Sequence, residues 1–207
     1  MSQIPTNHGI NQEPLLGSSS IDDEHVSIID PHVETKIAAV IARSFPGEKK
    51  QMIAAVSQNG YALFLASPEL QADKEVVLAA VSQDGMALEY ASPELQADKE
   101  VVLNAIAEDS EALQYASNQL RANKEVVLAA VKQNGMLLEY ASAALRANKE
   151  VVLAAVTQNG FALPLASVKL YTDKEVVLAA VSQNGMALRL CSAELKADED
   201  VIRAAGR

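Results

Sequence analysis

The pentapeptide Lys-Glu-Val-Val-Leu occurs five times in this chain, at residues 74–78, 99–103, 124–128, 149–153 and 174–178, always 25 residues apart. A degenerate copy, Lys-Lys-Gln-Met-Ile, occupies residues 49–53, one period earlier. Because a fixed period of this length is typical of repeat architectures, the chain is predicted to be a tandem array. Its six repeats are expected at residues 48–72, 73–97, 98–122, 123–147, 148–172 and 173–197.

Each pentapeptide follows an Asp or Asn, which predicts the start of a helix. Asp73 immediately precedes Lys74, and a side chain of this type accepts a hydrogen bond from a backbone N–H of the first turn. The next residue, Glu75, places negative charge at the positive end of the helix dipole. An Asp84-Gly85 pair about ten residues later predicts the helix end, with the glycine in the left-handed conformation.

The second half of each repeat predicts a shorter element. Ser92-Pro93 follows a short apolar stretch, and serine as cap with proline at the first helical position favours another helical turn. A 3₁₀ turn fits the limited length. The first helix is apolar on nearly every side, so neighbouring repeats must cover it. These features predict an all-α fold, an α-solenoid of six repeats that each have a longer helix and a short helix or 3₁₀ turn.

The segments outside the repeats at 48–197 predict different roles. Residues 1–29 lack a sustained apolar period and indicate a disordered leader. Residues 30–47 begin with Asp-Pro and indicate an N-terminal capping helix over the first repeat. Residues 198–207 open a seventh first helix and indicate a partial repeat that serves as the C-terminal cap.

The repeat also resembles a known family. Its pattern, Asp-Lys-Glu-Val-Val-Leu-Ala-Ala-Val, then Gln-Asn-Gly, then Ala-Leu-Glu-Tyr-Ala-Ser, is similar to tandem repeats of unknown function in effector-like proteins of intracellular bacteria. The resemblance covers residues 48–197 and implies a helical scaffold that a specialised secretion system delivers into a host cell. It implies no catalytic residues, because none are established for the family.

Charge and hydropathy exclude several classes of function. A net charge of −10 and a pI near 4.8 weigh against binding to nucleic acid or an anionic membrane, which depends largely on Lys and Arg. Unbroken apolar runs in the repeats reach about six residues, against the roughly 20 that span a bilayer. Residues 1–30 show no cleavable secretory signal. We expect a soluble protein of the bacterial cytoplasm before any export into a host cytosol.

Catalytic, cofactor-binding and metal-binding residues are not expected. The three histidines, at positions 8, 25 and 32, precede the repeats, so the array contains no His-centred triad. Cys191 stands where the other repeats have alanine, which predicts a small buried hydrophobic residue. Each glycine is isolated, which does not fit a phosphate-binding loop. The chain is predicted not to be an enzyme and to need no cofactor.

Recognition is expected where the repeats differ, although such positions can also be simply exposed and unconstrained. Two series vary most, and each forms a stripe of about 45–60 Å if the helices lie about 8–10 Å apart. The first stripe is Phe64, Glu89, Gln114, Glu139, Pro164 and Arg189, and the second stripe is Gln71, Gln96, Arg121, Arg146, Tyr171 and Lys196.

The third repeat contains a further candidate. There Glu108-Asp109-Ser110-Glu111 replaces the Gln-Asn-Gly-Met of other repeats and gives up the helix-terminating glycine. The patch is either a recognition site or a drifted repeat that bends the solenoid.

These features favour a non-catalytic protein–protein interaction scaffold, and the resemblance adds a secreted bacterial effector that binds a host protein. One alternative is a repeat protein that reads single-stranded RNA with side chains such as Arg121, Arg146, Tyr171 and Lys196, although the acidic total argues against it. Another alternative is a self-associating module, because the repeats stack on copies of themselves. The sequence leaves the oligomeric state open.

Overall fold

The computed structural model of the chain describes residues 49–206, and every regular element within them is helical. The predicted leader at 1–29 and capping helix at 30–47 lie outside these residues. Each repeat contributes a long helix, a six-residue 3₁₀ helix and a short helical turn. The predicted all-α solenoid is confirmed.

The bounds of the elements repeat with the period of the sequence. The long helices of the described part are Lys49–Gln58, Lys74–Gln83, Lys99–Glu108, Lys124–Val131, Lys149–Gln158, Lys174–Gln183 and Glu199–Ala205. The 3₁₀ helices that follow them are Gly60–Leu65, Gly85–Tyr90, Ser110–Tyr115, Gly135–Tyr140, Gly160–Leu165 and Gly185–Leu190. The short turns are Pro68–Gln71, Pro93–Gln96, Leu120–Ala122, Ala143–Arg146, Val168–Tyr171 and Ala193–Lys196, of which Leu120–Ala122 is itself 3₁₀.

The predicted helix starts are confirmed by their capping bonds. Asp73 Oδ1 accepts hydrogen bonds from the backbone N–H of Glu75 at 3.0 Å and of Val76 at 3.3 Å. Asn123 caps the helix Lys124–Val131 in the same way. These bonds satisfy donors that the first helical turn leaves without an intrahelical partner.

The long helices end before the predicted Asn-Gly and Asp-Gly pairs, but the left-handed glycine was a wrong prediction. None of the described glycines has a φ in the left-handed region. Asp84, in extended conformation with φ −148° and ψ 109°, ends the long helix Lys74–Gln83. Its Oδ1 accepts a hydrogen bond from the Met86 N–H at 2.9 Å, so Asp84 also caps the next element. Gly85 is therefore the first residue of a 3₁₀ helix and not a helix terminator.

Glycine is required at this position because two repeats approach each other closely. A Cβ on Gly85 would lie 2.3 Å from the carbonyl oxygen of Ala105, in the last turn of the next repeat's long helix. A Cβ on Gly135 would lie 2.2 Å from the carbonyl oxygen of Ala155. Such distances leave no space for a methyl group, so steric exclusion between repeats explains the glycine.

The third repeat has Ser110 at this position, and the change appears in its neighbour. Ser110 still begins a 3₁₀ helix, which Asp109 caps through its Oδ1 and the Glu111 N–H at 2.8 Å. The facing long helix, Lys124–Val131, has 8 residues where the other repeats have 10. The added Cβ of Ser110 gives a physical reason for this earlier end.

The core is one continuous apolar cluster that runs through the array. The helix Lys74–Gln83 buries Val76, Val77, Ala80 and Val81 completely, on two of its sides. Consecutive long helices contact each other, and so do consecutive 3₁₀ helices, which gives the solenoid two rows. Each repeat therefore buries its apolar residues against its neighbours, as in other repeat proteins.

Backbone and side-chain hydrogen bonds join successive repeats. The Ser92 N–H donates to the Gln71 carbonyl oxygen at 2.9 Å, across the boundary between the first two repeats. The Gly135 N–H donates to Gln158 Oε1 at 2.6 Å, and Gln158 Nε2 donates to the Gln133 carbonyl oxygen at 2.8 Å. A repeated glutamine thus bridges neighbouring repeats at the ends of their long helices.

Lysine side chains form a second connection, at the starts of the long helices. Lys74 Nζ lies 2.8 Å from Asp98 Oδ2 and 2.8 Å from Glu100 Oε2 of the next repeat. Equivalent pairs link every long helix to the next one along the described chain. The Lys-Glu pair of the repeat motif therefore serves inter-repeat contact as well as the helix dipole.

The close approach at glycine predicts that Gly135→Ala destabilises the array. We expect a loss of about 1–3 kcal/mol, as for overpacked sites, because the new methyl group would meet the Ala155 carbonyl. Urea unfolding followed by circular dichroism measures this loss. Gly206→Ala is the matched control, since the nearest atom to a Cβ there lies 3.6 Å away. Equal unfolding midpoints for the two variants would contradict the steric explanation.

The lysine connection predicts a dependence of stability on pH at both extremes. The hydrogen bond from Lys74 holds the pKa of Asp98 below its usual range, and the same carboxylate, with Glu100, raises the pKa of Lys74. The Asp98 contribution is therefore present above its unfolded pKa of about 3.9 and is lost as pH falls through the lower folded value. The Lys74 contribution is complete below about pH 10.4 and is lost as pH rises through its higher folded pKa.

Two reciprocal substitutions test this dependence. Asp98→Asn keeps a capping side chain, as Asn123 shows, but removes a carboxylate from Lys74, so the urea midpoint falls at pH 7 and falls by less at pH 3. Asn123→Asp gives Lys99 a carboxylate beside Glu125, which already pairs with it at 2.6 Å, so the midpoint rises at pH 7 and the gain disappears in high salt. Equal effects at both pH values would contradict the ion-pair account.

Candidate functional site

The second and fifth residues of the 3₁₀ helices lie on one side of the array, where most are exposed and Met86, Gln114 and Met136 are half-buried. In 3₁₀ geometry residues three apart lie above one another, so the second and fifth residues share a side. In Gly60–Leu65 these are Tyr61 and Phe64, which are exposed, whereas Ala62 and Leu63 are fully buried. We call the two resulting rows the 3₁₀ face.

The rows of the 3₁₀ face run through all six repeats. The second residues form the row Tyr61, Met86, Glu111, Met136, Phe161 and Met186. The fifth residues form the row Phe64, Glu89, Gln114, Glu139, Pro164 and Arg189, which is the first predicted stripe. Of this stripe only Gln114 is half-buried, and the other five residues are exposed.

The second predicted stripe lies beside the 3₁₀ helices and is bound into the scaffold. Its members from Gln71 to Tyr171 are half-buried, and Lys196 is exposed. Gln71 Nε2 donates to the Leu63 carbonyl oxygen at 3.1 Å, and Gln96 Nε2 donates to the Leu88 carbonyl oxygen at 3.1 Å. Although the residue type varies in this series, Gln71 and Gln96 still make structural contacts.

The arginines of the second stripe are also partly withdrawn from solvent. Arg121 donates a guanidinium N–H to Asn118 Oδ1 at 2.5 Å. Arg146 has its Nε buried without a hydrogen-bond partner among residues 49–206. The backbone carbonyls of Arg121 and Arg146 accept hydrogen bonds from Ser142 at 2.9 Å and Ser167 at 2.8 Å. Both residues help to join repeats.

The patch Glu108-Asp109-Ser110-Glu111 divides between two roles. Asp109 is a capping residue of the 3₁₀ helix Ser110–Tyr115. Glu108 and Glu111 are exposed, and Glu111 belongs to the 3₁₀ face. The patch thus keeps the repeat fold and adds one carboxylate, that of Glu111, to the row that begins at Tyr61.

Apart from Glu111, the row that begins at Tyr61 was not predicted as a candidate, and neither was the aromatic cluster that includes Tyr61. The ring centroids of Tyr61 and Phe64 are 5.6 Å apart, and that of Tyr90 lies 5.1 Å from Tyr61 and 5.2 Å from Phe64. Tyr61 is 37% exposed and Phe64 50%. The period of three within each 3₁₀ segment was the signal that could have revealed this row.

Glu89 lies between two tyrosines of neighbouring repeats. Burial raises the pKa of Tyr90 above its usual range, and hydrogen bonds with Tyr61 and Glu89 add to the shift. Burial also raises the pKa of Tyr115, and the charge of Glu89 and a hydrogen bond to it contribute. The Glu89 carboxylate is thus held in position by phenol groups and not by a cation.

The carboxylates of the 3₁₀ face differ from those of the helix starts. Glu75, at a helix start, lies 2.7 Å from Lys49 Nζ. Within residues 49–206, no Lys or Arg nitrogen lies within 4 Å of a carboxylate oxygen of Glu89, Glu111 or Glu139. These three side chains retain their charge for contact with solvent or a partner.

The described chain offers little for chemistry elsewhere. Cys191 is 4% exposed, and burial raises its thiol pKa, which fits the predicted small hydrophobic role. An open groove of about 450 Å³ lies over one long helix, between Lys124 and Lys132, and its floor is Leu128 and Ala129. Residues 49–206 contain no group of His, Cys, Asp and Glu arranged to hold a metal ion. No helix among them is long and apolar enough to cross a bilayer.

Comparison with known families identifies the repeat. A family model described as a domain of unknown function, DUF4116, matches residues 49–96, 98–146, 123–171 and 173–207. The chain belongs to the DUF4116 family. The second and third matches are offset by 25 residues, and each spans close to two repeats, so the DUF4116 unit is a pair of the structural repeats. No curated protein and no solved structure matches the chain.

The position of Glu89 in this DUF4116 array predicts a coupled titration. Glu89→Gln removes the charge that disfavours the phenolate of Tyr115, so the pKa of Tyr115 falls toward its ordinary value of about 10. Carbon-13 NMR of the tyrosine ring measures this pKa. Glu94→Gln, at an exposed carboxylate of a short turn, is the control. An unchanged Tyr115 pKa in Glu89→Gln would show that Glu89 does not contact this phenol.

Proposed function

We propose that this chain is a non-catalytic protein–protein interaction scaffold that binds its partner through the 3₁₀ face. The observation that carries the proposal is the first stripe, whose side chains are aromatic, acidic, amide, acidic, proline and basic in six successive repeats and are exposed except at the half-buried amide, Gln114. A solenoid presents such a row as one extended surface, and extended surfaces of this kind are used by other repeat proteins to bind partners.

The invariant residues support this assignment because each already has a structural contact. Val76 and Val77 are buried, Asp73 caps a helix, and Lys74 pairs with the next repeat. Gly85 has no space for a side chain. The residues that remain for recognition are those of the 3₁₀ face, where side chains change from repeat to repeat and most are exposed.

The geometry favours a protein partner over RNA. Recognition of single-stranded RNA would rest on Arg121, Arg146, Tyr171 and Lys196, of which only Lys196 is exposed. The same array exposes Glu111 and Glu139, whose carboxylates would repel the phosphates of RNA. A self-associating module would instead show, by light scattering, a mass above that of one chain.

The proposal extends to a secreted bacterial effector that acts on a host protein. Support for this part comes from the resemblance of the repeat to those of effector-like proteins of intracellular bacteria. The family itself has no known function. A test therefore requires partner capture from a host-cell lysate as well as from a bacterial lysate.

The proposal predicts that the full chain captures a specific protein through the 3₁₀ face. Affinity capture with immobilised protein, followed by mass spectrometry, should enrich a protein that the variant Phe64→Ala with Pro164→Ala and Arg189→Ala does not retain. These substitutions truncate exposed side chains of the first stripe and leave the buried core unchanged.

The control variant carries Glu69→Ala, Val168→Ala and Lys196→Ala, three exposed residues of the short turns. It should retain the partner as the unmodified chain does. Equal loss in both variants would move the binding surface away from the 3₁₀ face. If the unmodified chain enriches no protein from either lysate, the scaffold proposal is wrong.

A further inference from the structure

The 3₁₀ face has exposed apolar side chains near both ends, and its last repeat also exposes Arg189. The first repeat exposes Tyr61 and Phe64, which pack on the half-buried Tyr90 of the second repeat. The last two repeats expose Phe161, at 42%, and Met186, at 52%. The buried core of each repeat is complete without these side chains, so their exposure on one face indicates a docking surface.

The middle of the same face is acidic. Three exposed glutamates lie here in successive repeats, Glu89 and Glu139 in the row of fifth residues and Glu111 in the row of second residues, and together we call them the acidic row. The half-buried Gln114 lies among them. Glu89 lies beside the phenol groups of Tyr90 and Tyr115 and pairs with no Lys or Arg in the part of the chain that the structure describes. An occupant of the face must therefore complement a row of negative charge between two apolar patches.

Charge argues against two occupants that the chain itself could supply. A second copy carries a net charge of −10 and has the same acidic row. Residues 1–48 contain seven acidic residues against two basic ones. Both would place carboxylates against carboxylates, which is unfavourable where charges become desolvated.

We propose that the 3₁₀ face binds an extended basic segment of another protein, with its Lys or Arg side chains on the acidic row and an apolar residue on the aromatic cluster. This inference rests on the proposed scaffold function and names the chemical class of the partner. Arginine suits the site best, because a guanidinium pairs with carboxylates through two hydrogen bonds and also stacks on aromatic rings.

The dimensions of the array set the length of the segment. Glu89 and Glu139 are two repeats apart, or about 16–20 Å if neighbouring helices are about 8–10 Å apart. An extended chain advances about 3.3 Å per residue, so this distance corresponds to about five or six residues. With one apolar residue reaching Tyr61 and Phe64, the whole segment has roughly ten residues.

Synthetic peptides test the proposal with the full chain. The probe is a fluorescein-labelled ten-residue peptide with one Leu at an end and Arg at alternate positions, and its counterpart has Glu in place of Arg. Fluorescence anisotropy measures both affinities at low and high salt. We expect the Arg peptide to bind at least tenfold more tightly than the Glu peptide, and the difference to shrink as salt screens the acidic row.

Two charge-matched triple variants locate the surface. The first variant carries Glu89→Gln, Glu111→Gln and Glu139→Gln, which neutralise the acidic row. It should weaken binding of the Arg peptide at least tenfold. The second variant carries Glu69→Gln, Glu94→Gln and Glu194→Gln, which make the same change in net charge on the short turns. It should weaken binding of the Arg peptide less than threefold.

Phe64→Ala tests the apolar contact. It should weaken binding of the Leu-containing peptide but not of one with Gly at that end. Circular dichroism confirms that each variant is folded.

Several outcomes would overturn the proposal. Equal weakening by the two triple variants would mean attraction to net charge alone, and equal binding of the Arg and Glu peptides would remove the role of the carboxylates. Tighter binding of a single-stranded RNA oligonucleotide would favour the RNA alternative. Light scattering that shows a dimer, reduced to monomer by Phe64→Ala, would identify a second copy as the occupant.

The two proposals fail in different ways. If lysate capture enriches a partner through the 3₁₀ face but the Arg peptide does not bind, the scaffold function stands and the basic segment is wrong. If capture enriches nothing and no peptide binds, both proposals are wrong.

Discussion

The start of each 3₁₀ helix lies against the last turn of the next repeat's long helix, and this contact sets how closely the repeats stack. A Cβ on Gly85 would lie 2.3 Å from the Ala105 carbonyl oxygen, so the two backbones leave no room for a side chain between them. The Gly135 N–H bonds to the Gln158 side chain of the following repeat at the same place. Five of the six repeats meet the next in this way, through Gly60, Gly85, Gly135, Gly160 and Gly185, so each repeat positions its neighbour, as expected for a one-dimensional stack.

The same contact decides which residues face solvent. With its first residue against the next repeat, a 3₁₀ helix of three residues per turn turns its third and fourth residues into the core and its second and fifth outward. Ala87 and Leu88 are buried for this reason, whereas Met86 and Glu89 lie on the 3₁₀ face. The buried residues and the two solvent-facing rows therefore lie on different sides of one six-residue element, although Tyr61 and Phe64 also contact Tyr90 of the next repeat.

Ser110 shows how the stack responds when the contact changes. Its own 3₁₀ helix is preserved, and the adjustment is made by the facing helix, which ends at Val131. The repeat with the altered contact is also a repeat that adds negative charge to the 3₁₀ face, because Glu111 directly follows Ser110 in the chain. The sequence left open whether this patch is a drifted repeat or a recognition site. The two alternatives are compatible in one repeat, because Ser110 affects packing and Glu111 affects the surface.

The sequence by itself determined the period, the helix starts, the buried valines and the first stripe, because capping, apolar patterning and repeat-to-repeat differences are local or periodic properties. It did not determine why glycine follows Asp84 or why a lysine recurs at the position of Lys74. Nor did it determine that the backbone carbonyls of Gln71 and Arg146 accept hydrogen bonds from the next repeat. Those facts depend on atoms 20 or more residues away that only stacking brings together. The aromatic cluster was hidden for the same reason, since Tyr90 joins Tyr61 and Phe64 only when two repeats pack side by side.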